Sequence, residues 1–172
     1  MERREDIDGY TVAYGREEIQ FPVYVILFVG CALIAAAFTW DNPFIFVLGS
    51  AATGYAYYNF PLLETGRPRI GAGQYGILIE GLGVIAWRAI KDIELVSMPA
   101  RGGDYQQLSI TLNQPLQRAL IADWRRRPVH RALMRLPWMM NHGSIRIGLD
   151  ILDRPPREIH DSLTRMWRHF RA

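Results

Sequence analysis

Two kinds of hydrophobic pattern divide this chain, and the change between them falls near residue 64. Residues 21–40, FPVYVILFVGCALIAAAFTW, run for twenty positions without a charged side chain. At about 1.5 Å per helical residue that run matches the roughly 30 Å hydrocarbon core of a bilayer. A second apolar run, residues 43–63, is broken only by polar residues such as Ser50, Thr53 and Asn59. Asp41 and Asn42 alone separate the runs, and Pro43 follows. Either polar residue can cap a second helix that has proline in its first turn. So short a connection predicts two antiparallel helices, a transmembrane hairpin over residues 21–63. Small residues at four-residue spacing (Cys31/Ala35, Ala32/Ala36, Ser50/Gly54) are expected to let the two backbones approach closely.

Beyond residue 64 the apolar positions come in short runs punctuated by glycine, the pattern of β-strands. Strands are predicted over 69–72, 76–80, 83–87, 90–98, 106–112, 118–121 and 144–149. Turns are expected at residues 101–104 and at Asn113–Gln114–Pro115. Gln107, Ser109 and Thr111 alternate with Leu108, Ile110 and Leu112, as in a strand with one wet face. The final segment reads as a helix. Asp153 is placed to cap it, Pro155 and Pro156 suit its first turn, and Ile159, Leu163, Met166, Trp167 and Phe170 fall on one stripe. The fold class is therefore α+β: an antiparallel sheet structure closed by a C-terminal amphipathic helix, preceded by the helical hairpin.

Charge separates the same regions. Residues 1–20 carry three Arg against six Asp/Glu, whereas residues 64–172 carry seventeen Lys/Arg against ten Asp/Glu, within a whole-chain balance of +3. The domains implied are an acidic N-terminal segment (1–20), the hairpin (21–63) and a basic domain (64–172). Arg3, Arg4 and Arg16 precede the first helix, Arg67 and Arg69 follow the second, and the hairpin tip has neither Lys nor Arg. The positive-inside rule then places both termini in the cytoplasm, as a multi-pass protein of the inner membrane. Trp40, Tyr55, Tyr57, Tyr58 and Phe60 suit the two interfaces. Two rivals remain open: a signal peptide cleaved near residues 35–37, whose acidic leading region has the wrong sign, and a buried hairpin of a soluble protein.

The run Gly76-Ile-Leu-Ile-Glu-Gly-Leu-Gly-Val-Ile-Ala-Trp87-Arg-Ala-Ile90, the strand after it, the Ile145-Arg-Ile-Gly-Leu149 strand and the closing helix together resemble the bacterial pleckstrin-homology-like families. In these a two-helix membrane hairpin precedes a strand, a Gly-Ile turn, a second strand ending in Trp and an Ile-led third strand. The resemblance covers residues 21–172. It implies a membrane-tethered β-sandwich or half-barrel capped by a helix, used as a binding or assembly module, with no shared catalytic residues to carry over.

No motif points to catalysis. Gly71-Ala-Gly73-Gln-Tyr-Gly76 matches GxGxxG, but a strand follows it where a dinucleotide site needs a helix. His130, His142, His160 and His169 show neither HxH nor HExxH spacing, the single Cys31 excludes a cysteine-built metal site, and no cofactor is expected. Neighbouring His160 and Asp161 are expected to point apart. Asp92 and Glu94 would share a strand face, where solvated polarity is the plainer reading than an acid–base pair. The most unusual stretch lies between Trp124 and Trp138. A helix over about 128–136 would align Arg127, Arg131 and Arg135 on one face, with Val129, Ala132, Leu133 and Leu136 on another. Trp124, Arg125, Arg126, Arg127, Arg131, Arg135 and Trp138 are thus candidates for contact with anionic lipid headgroups or a membrane-protein partner. The plainer reading is an insertion whose arginines face water. Nucleic acid is not expected, since no recognition motif accompanies the charge. The expected function is non-enzymatic, a module at the cytoplasmic membrane surface. The alternative is a scaffold subunit, or homo-oligomer, assembled through the hairpin and a sheet edge.

Overall fold

The computed structural model describes residues 9–15, 20–64, 67–100, 103–125, 131, 133–141 and 143–171. By internal contacts the chain forms two units. One comprises Met1–Tyr14, Gly66–Arg127 and Leu136–Ala172; the other comprises Gly15–Thr65 and Pro128–Arg135.

In the second unit, helix α1 spans Gln20–Trp40 and α2 spans Pro43–Tyr58, followed by a 3-10 turn over Phe60–Leu63. Two residues reverse the chain. Asp41 takes a left-handed conformation (φ 47°), and the Asn42 N–H returns to the Ala37 carbonyl at 3.1 Å, closing α1 as a Schellman turn. The Asn42 side chain then accepts the Phe44 and Ile45 N–H groups (3.0 and 3.4 Å) and caps α2, with Pro43 in the first turn. The helices touch at their glycines. A Cβ on Gly49 would lie 2.9 Å from the Gly30 carbonyl oxygen, and one on Gly30 would lie 2.9 Å from the Thr53 nitrogen.

That seam corrects the expected one. Gly30 and Ala37 on α1, and Gly49 and Ala56 on α2, are buried, each pair seven residues apart. Seven residues return to nearly the same face of a helix, so they follow a long seam that spacing by four drifts across. Cys31, Ala32, Ala35, Ser50 and Gly54 face outward instead. Among the described residues α1 is the one helix long and apolar enough to cross a membrane. The sixteen residues of α2 span about 24 Å.

The other unit is mixed α+β with two antiparallel sheets and a C-terminal helix. One sheet has the order β1-β2-β3-β4-β7, from Tyr10–Val12, Ile70–Gly73, Gly76–Ile79, Gly83–Ala86 and Leu120–Asp123. The other has the order β5-β6-β9-β8, from Ile90–Ala100, Gly103–Leu112, Ser144–Gly148 and Trp138–Asn141. Helix α3 is a single turn, Leu116–Ala119, and α4 spans Pro156–Phe170. Isoleucines from both sheets (Ile70, Ile77, Ile79, Ile85, Ile110, Ile145, Ile147) share one core with Ile159, Leu163 and Met166 of α4. Alternation explains the choice, since β-branched side chains at every second position fill one face of a pleated strand. Trp87 is buried there, donating its indole N–H to the Gly73 carbonyl (2.8 Å) and stacking on Phe170.

Most predicted strands appear, with informative departures. Arg118–Ala119 is helical, because Pro115 starts a turn in which the Ala119 N–H bonds its carbonyl (3.1 Å), so β7 begins only at Leu120. Asp153 does not cap α4, whose N-cap is Pro155. It clasps Ala13 instead, its carboxylate accepting the Ala13 N–H (3.2 Å) and its own N–H reaching the Ala13 carbonyl (3.0 Å). Strand β1 belongs to the segment read as acidic flank. It pairs antiparallel with β2, Val12 opposite Ile70, so the helix pair is inserted in sequence between two neighbouring strands of one sheet.

Candidate functional site: the Trp124–Trp138 segment

The β3–β4 turn positions both tryptophans of this segment. The Trp124 N–H bonds the Leu82 carbonyl at 3.1 Å, and the Trp138 indole N–H bonds the Glu80 carbonyl at 3.1 Å. Their roles then diverge. Trp124 is half exposed beyond β7, whereas Trp138 begins β8 and packs against the core. Trp138 is thus a structural residue rather than an exposed flank of a lipid-binding helix.

The arginines differ as much. Arg125 folds onto Asp123, with Nε and Nη2 donating to the carboxylate at 2.9 and 2.6 Å, and this hydrogen bonding raises its pKa above the usual guanidinium value. Arg126 and Arg127 lie outside the described residues, as do residues 128–130 and Ala132. Arg131 Nη2 donates to Glu64 Oε1 at 2.7 Å, at the end of the 3-10 turn after α2. The Arg135 N–H bonds the carbonyl of Tyr58, the last residue of α2, at 2.9 Å.

These bonds show why the expected helix does not run through Leu136. A continuing α-helix would give the Arg131 carbonyl to the Arg135 N–H. That carbonyl takes the Met134 N–H (3.2 Å) as a tight turn, and Arg135 turns to Tyr58. Pro137 then bars helical geometry at the residue before it. Arg131 and Arg135 are brought together with the helix pair, by separate bonds, and not on one face of a helix.

Sequence reasoning missed the most buried charge among the described residues. Arg69 is fully buried and ion-paired with Glu80, and its guanidinium lies 4.7 Å from the centre of the Tyr14 ring. The main chain closes the same corner, the Arg69 N–H reaching Val12 (2.8 Å) and the Glu80 N–H reaching Arg69 (2.9 Å). The signal available was thin, an Arg just before β2 and a Glu just after β3, which the antiparallel register sets side by side.

Other candidates resolve into packing. GxGxxG forms the β2–β3 hairpin, with Gly73 opposite Gly76 and no helix after it. Asp92 and Glu94 stand opposite Thr111 and Ser109 on the outer face of their sheet. His160 and Asp161 do meet, at 3.0 Å. His130 and His142 lie outside the described residues. Among the described residues no three His, Cys, Asp or Glu side chains gather as metal ligands would. Where β1 meets α4, burial and the nearby Glu158 carboxylate push the Tyr10 phenol up from its usual value, and Glu158 also pairs with Arg154 at 2.7 Å.

Comparison with protein-family models, with curated proteins and with solved structures finds no match for this chain.

Proposed function

We propose that this chain is a membrane-anchored, non-enzymatic module. Its helix pair crosses the bilayer twice, and its α+β domain, read as pleckstrin-homology-like, works at the cytoplasmic surface on anionic headgroups or a membrane-protein partner. The observation that carries the anchoring is the β1–β2 pairing. β1 precedes α1 and β2 follows the 3-10 turn, so a chain whose α1 crosses the bilayer must cross back before Ile70. Residues 43–63, α2 with its 3-10 turn, are the apolar stretch available for that return. The pairing also weighs against cleavage near residues 35–37, which would cut β1 from the chain it completes.

Exposure weighs against a buried soluble hairpin. Only 17% of the most apolar stretch of α1 is buried, and Phe28 is 77% exposed. A water-soluble fold buries such side chains, whereas lipid accepts them. The positive-inside rule supplies the cytoplasmic side. Held there, the basic domain stays near the anionic leaflet, where each unpaired basic group adds about 1 kcal/mol of attraction.

Cysteine accessibility in intact cells tests this, using Cys31→Ser as background with single cysteines at Asn42 and Arg165. Labelling of position 42 from outside, and of position 165 only after lysis, is expected. Equal labelling of both before lysis would sink the two-crossing reading.

The scaffold reading has its own support. Ser50 and Gly54 face outward on α2, and nothing lies within 4 Å of a Cβ built on Gly54. Another helix can approach closely there. Crosslinking in membranes that recovers only monomer argues against assembly through this face.

A further inference from the structure

Arg131 and residues 133–135 are separated in sequence from the helix pair by most of the domain, yet they belong to it by contact. Two bonds seat them at the C-terminal end of α2: Arg131 to Glu64 at 2.7 Å, and the Arg135 N–H to Tyr58 at 2.9 Å. Tyr55, Tyr57, Tyr58 and Phe60 are all exposed at that same end, as in the aromatic belt at a membrane–water interface. Within this short turn Leu133 is 75% exposed, flanked by the two arginines. The arginines are not equivalent. Arg131 is engaged by Glu64, while Arg135, half-buried as a residue, makes no side-chain hydrogen bond or ion pair among the described residues.

We infer that Arg131 and residues 133–135 form an interfacial anchor in which Leu133 enters the headgroup–acyl boundary of an anionic bilayer and Arg135 meets lipid phosphate. Arg131 is the staple that holds the turn at this depth. The inference rests on the reading that the helix pair lies in the bilayer, because only then does the end of α2 mark an interface. An exposed leucine beside a cation that reaches back to the phosphates is the composition of an interfacial segment. A guanidinium suits the phosphate oxygens through paired hydrogen bonds.

The test uses the full chain, Cys31→Ser, in phosphatidylglycerol-rich nanodiscs, with a nitroxide at one of three cysteines. Leu133→Cys reports the anchor, Phe28→Cys the lipid and Tyr75→Cys the water-exposed domain surface. Accessibility to oxygen against a water-soluble nickel chelate gives depth. The expected Leu133 ratio lies several-fold above that of Tyr75 and below that of Phe28. A Leu133 label as water-accessible as Tyr75, with Phe28 still in lipid, overturns the inference and leaves the helix-pair reading intact. Should Phe28 also read as water, both fall. Replacing the anionic lipid by phosphatidylcholine is expected to move the Leu133 label outward, and Arg135→Gln to abolish that shift. A label indifferent to lipid charge in both backgrounds overturns the role of Arg135.

Discussion

The helix pair and the α+β domain use hydrophobic residues in opposite senses. In the domain, large side chains such as Ile77, Leu108, Ile110 and Ile147 are fully buried. In the helix pair the contact is made largely by Gly30, Ala37, Gly49 and Ala56, while Phe28 and Phe44 point away from it. In water each exposed phenylalanine would forgo about 1.5–3 kcal/mol of burial. In lipid the exposed ring loses nothing, and close backbone packing becomes the main attraction left. With the helix pair in lipid, as proposed, the two regions would be stable for different reasons, and that difference can be measured.

The sharpest test sets a core truncation against an outward one. Leu108→Ala should destabilise the domain by about 2–5 kcal/mol in urea denaturation of the full chain in nanodiscs. Phe28→Ala should stay within about 0.5 kcal/mol, and equal losses would erase the contrast. Next comes Glu80→Gln, which deprives the buried Arg69 of its carboxylate. Fully buried pairs cost about 3–5 kcal/mol to break, and about 2 is expected here because Glu80 reaches solvent. Adding Arg69→Met should restore part of that loss. Arg131→Gln should cost about 0.5–1 kcal/mol, read as faster amide exchange at Leu133–Arg135 with the domain's midpoint unmoved.

The smallest effect is a pH dependence. The folded pKa of Tyr10 is raised, so its contribution is fully present below the ordinary phenol value near 10 and is lost as pH rises through the folded value. Wild type should therefore lose stability relative to Tyr10→Phe across that alkaline window. Parallel curves would mean Tyr10 is no more buried than an ordinary surface tyrosine.

Much of the domain was legible because alternation and glycine turns are local signals. β3, β4, β5, β6 and β9 fall close to where the pattern puts them, and the α4 stripe of Ile159, Leu163 and Met166 is buried as its spacing requires. β1 and β8 were not legible. Tyr10–Val12 is three residues beside an acidic flank, and Trp138–Asn141 is four with no alternation in burial. Both are edge strands, defined by the neighbour they find rather than by their own pattern. The helix expected through the candidate site was misplaced for a related reason. Helical spacing assigned Arg131 and Arg135 a shared face, but their partners Glu64 and Tyr58 lie 67 and 77 positions earlier, outside any local window.

The insertion of the helix pair between β1 and β2 also sets an order of events during synthesis. Tyr10–Val12 leaves the ribosome before the helix pair, and Ile70 follows only after that pair has been made, roughly 3–12 s later at ordinary elongation rates. Through that interval the first strand lacks the β2 edge it joins, and for a helix pair that crosses the bilayer twice, as proposed, that edge arrives only when both legs of the chain emerge on the same side. On that reading, its closure would be a record that the intervening segment was delivered correctly. A misrouted chain would carry its own mark, an open β2 edge for quality control to find.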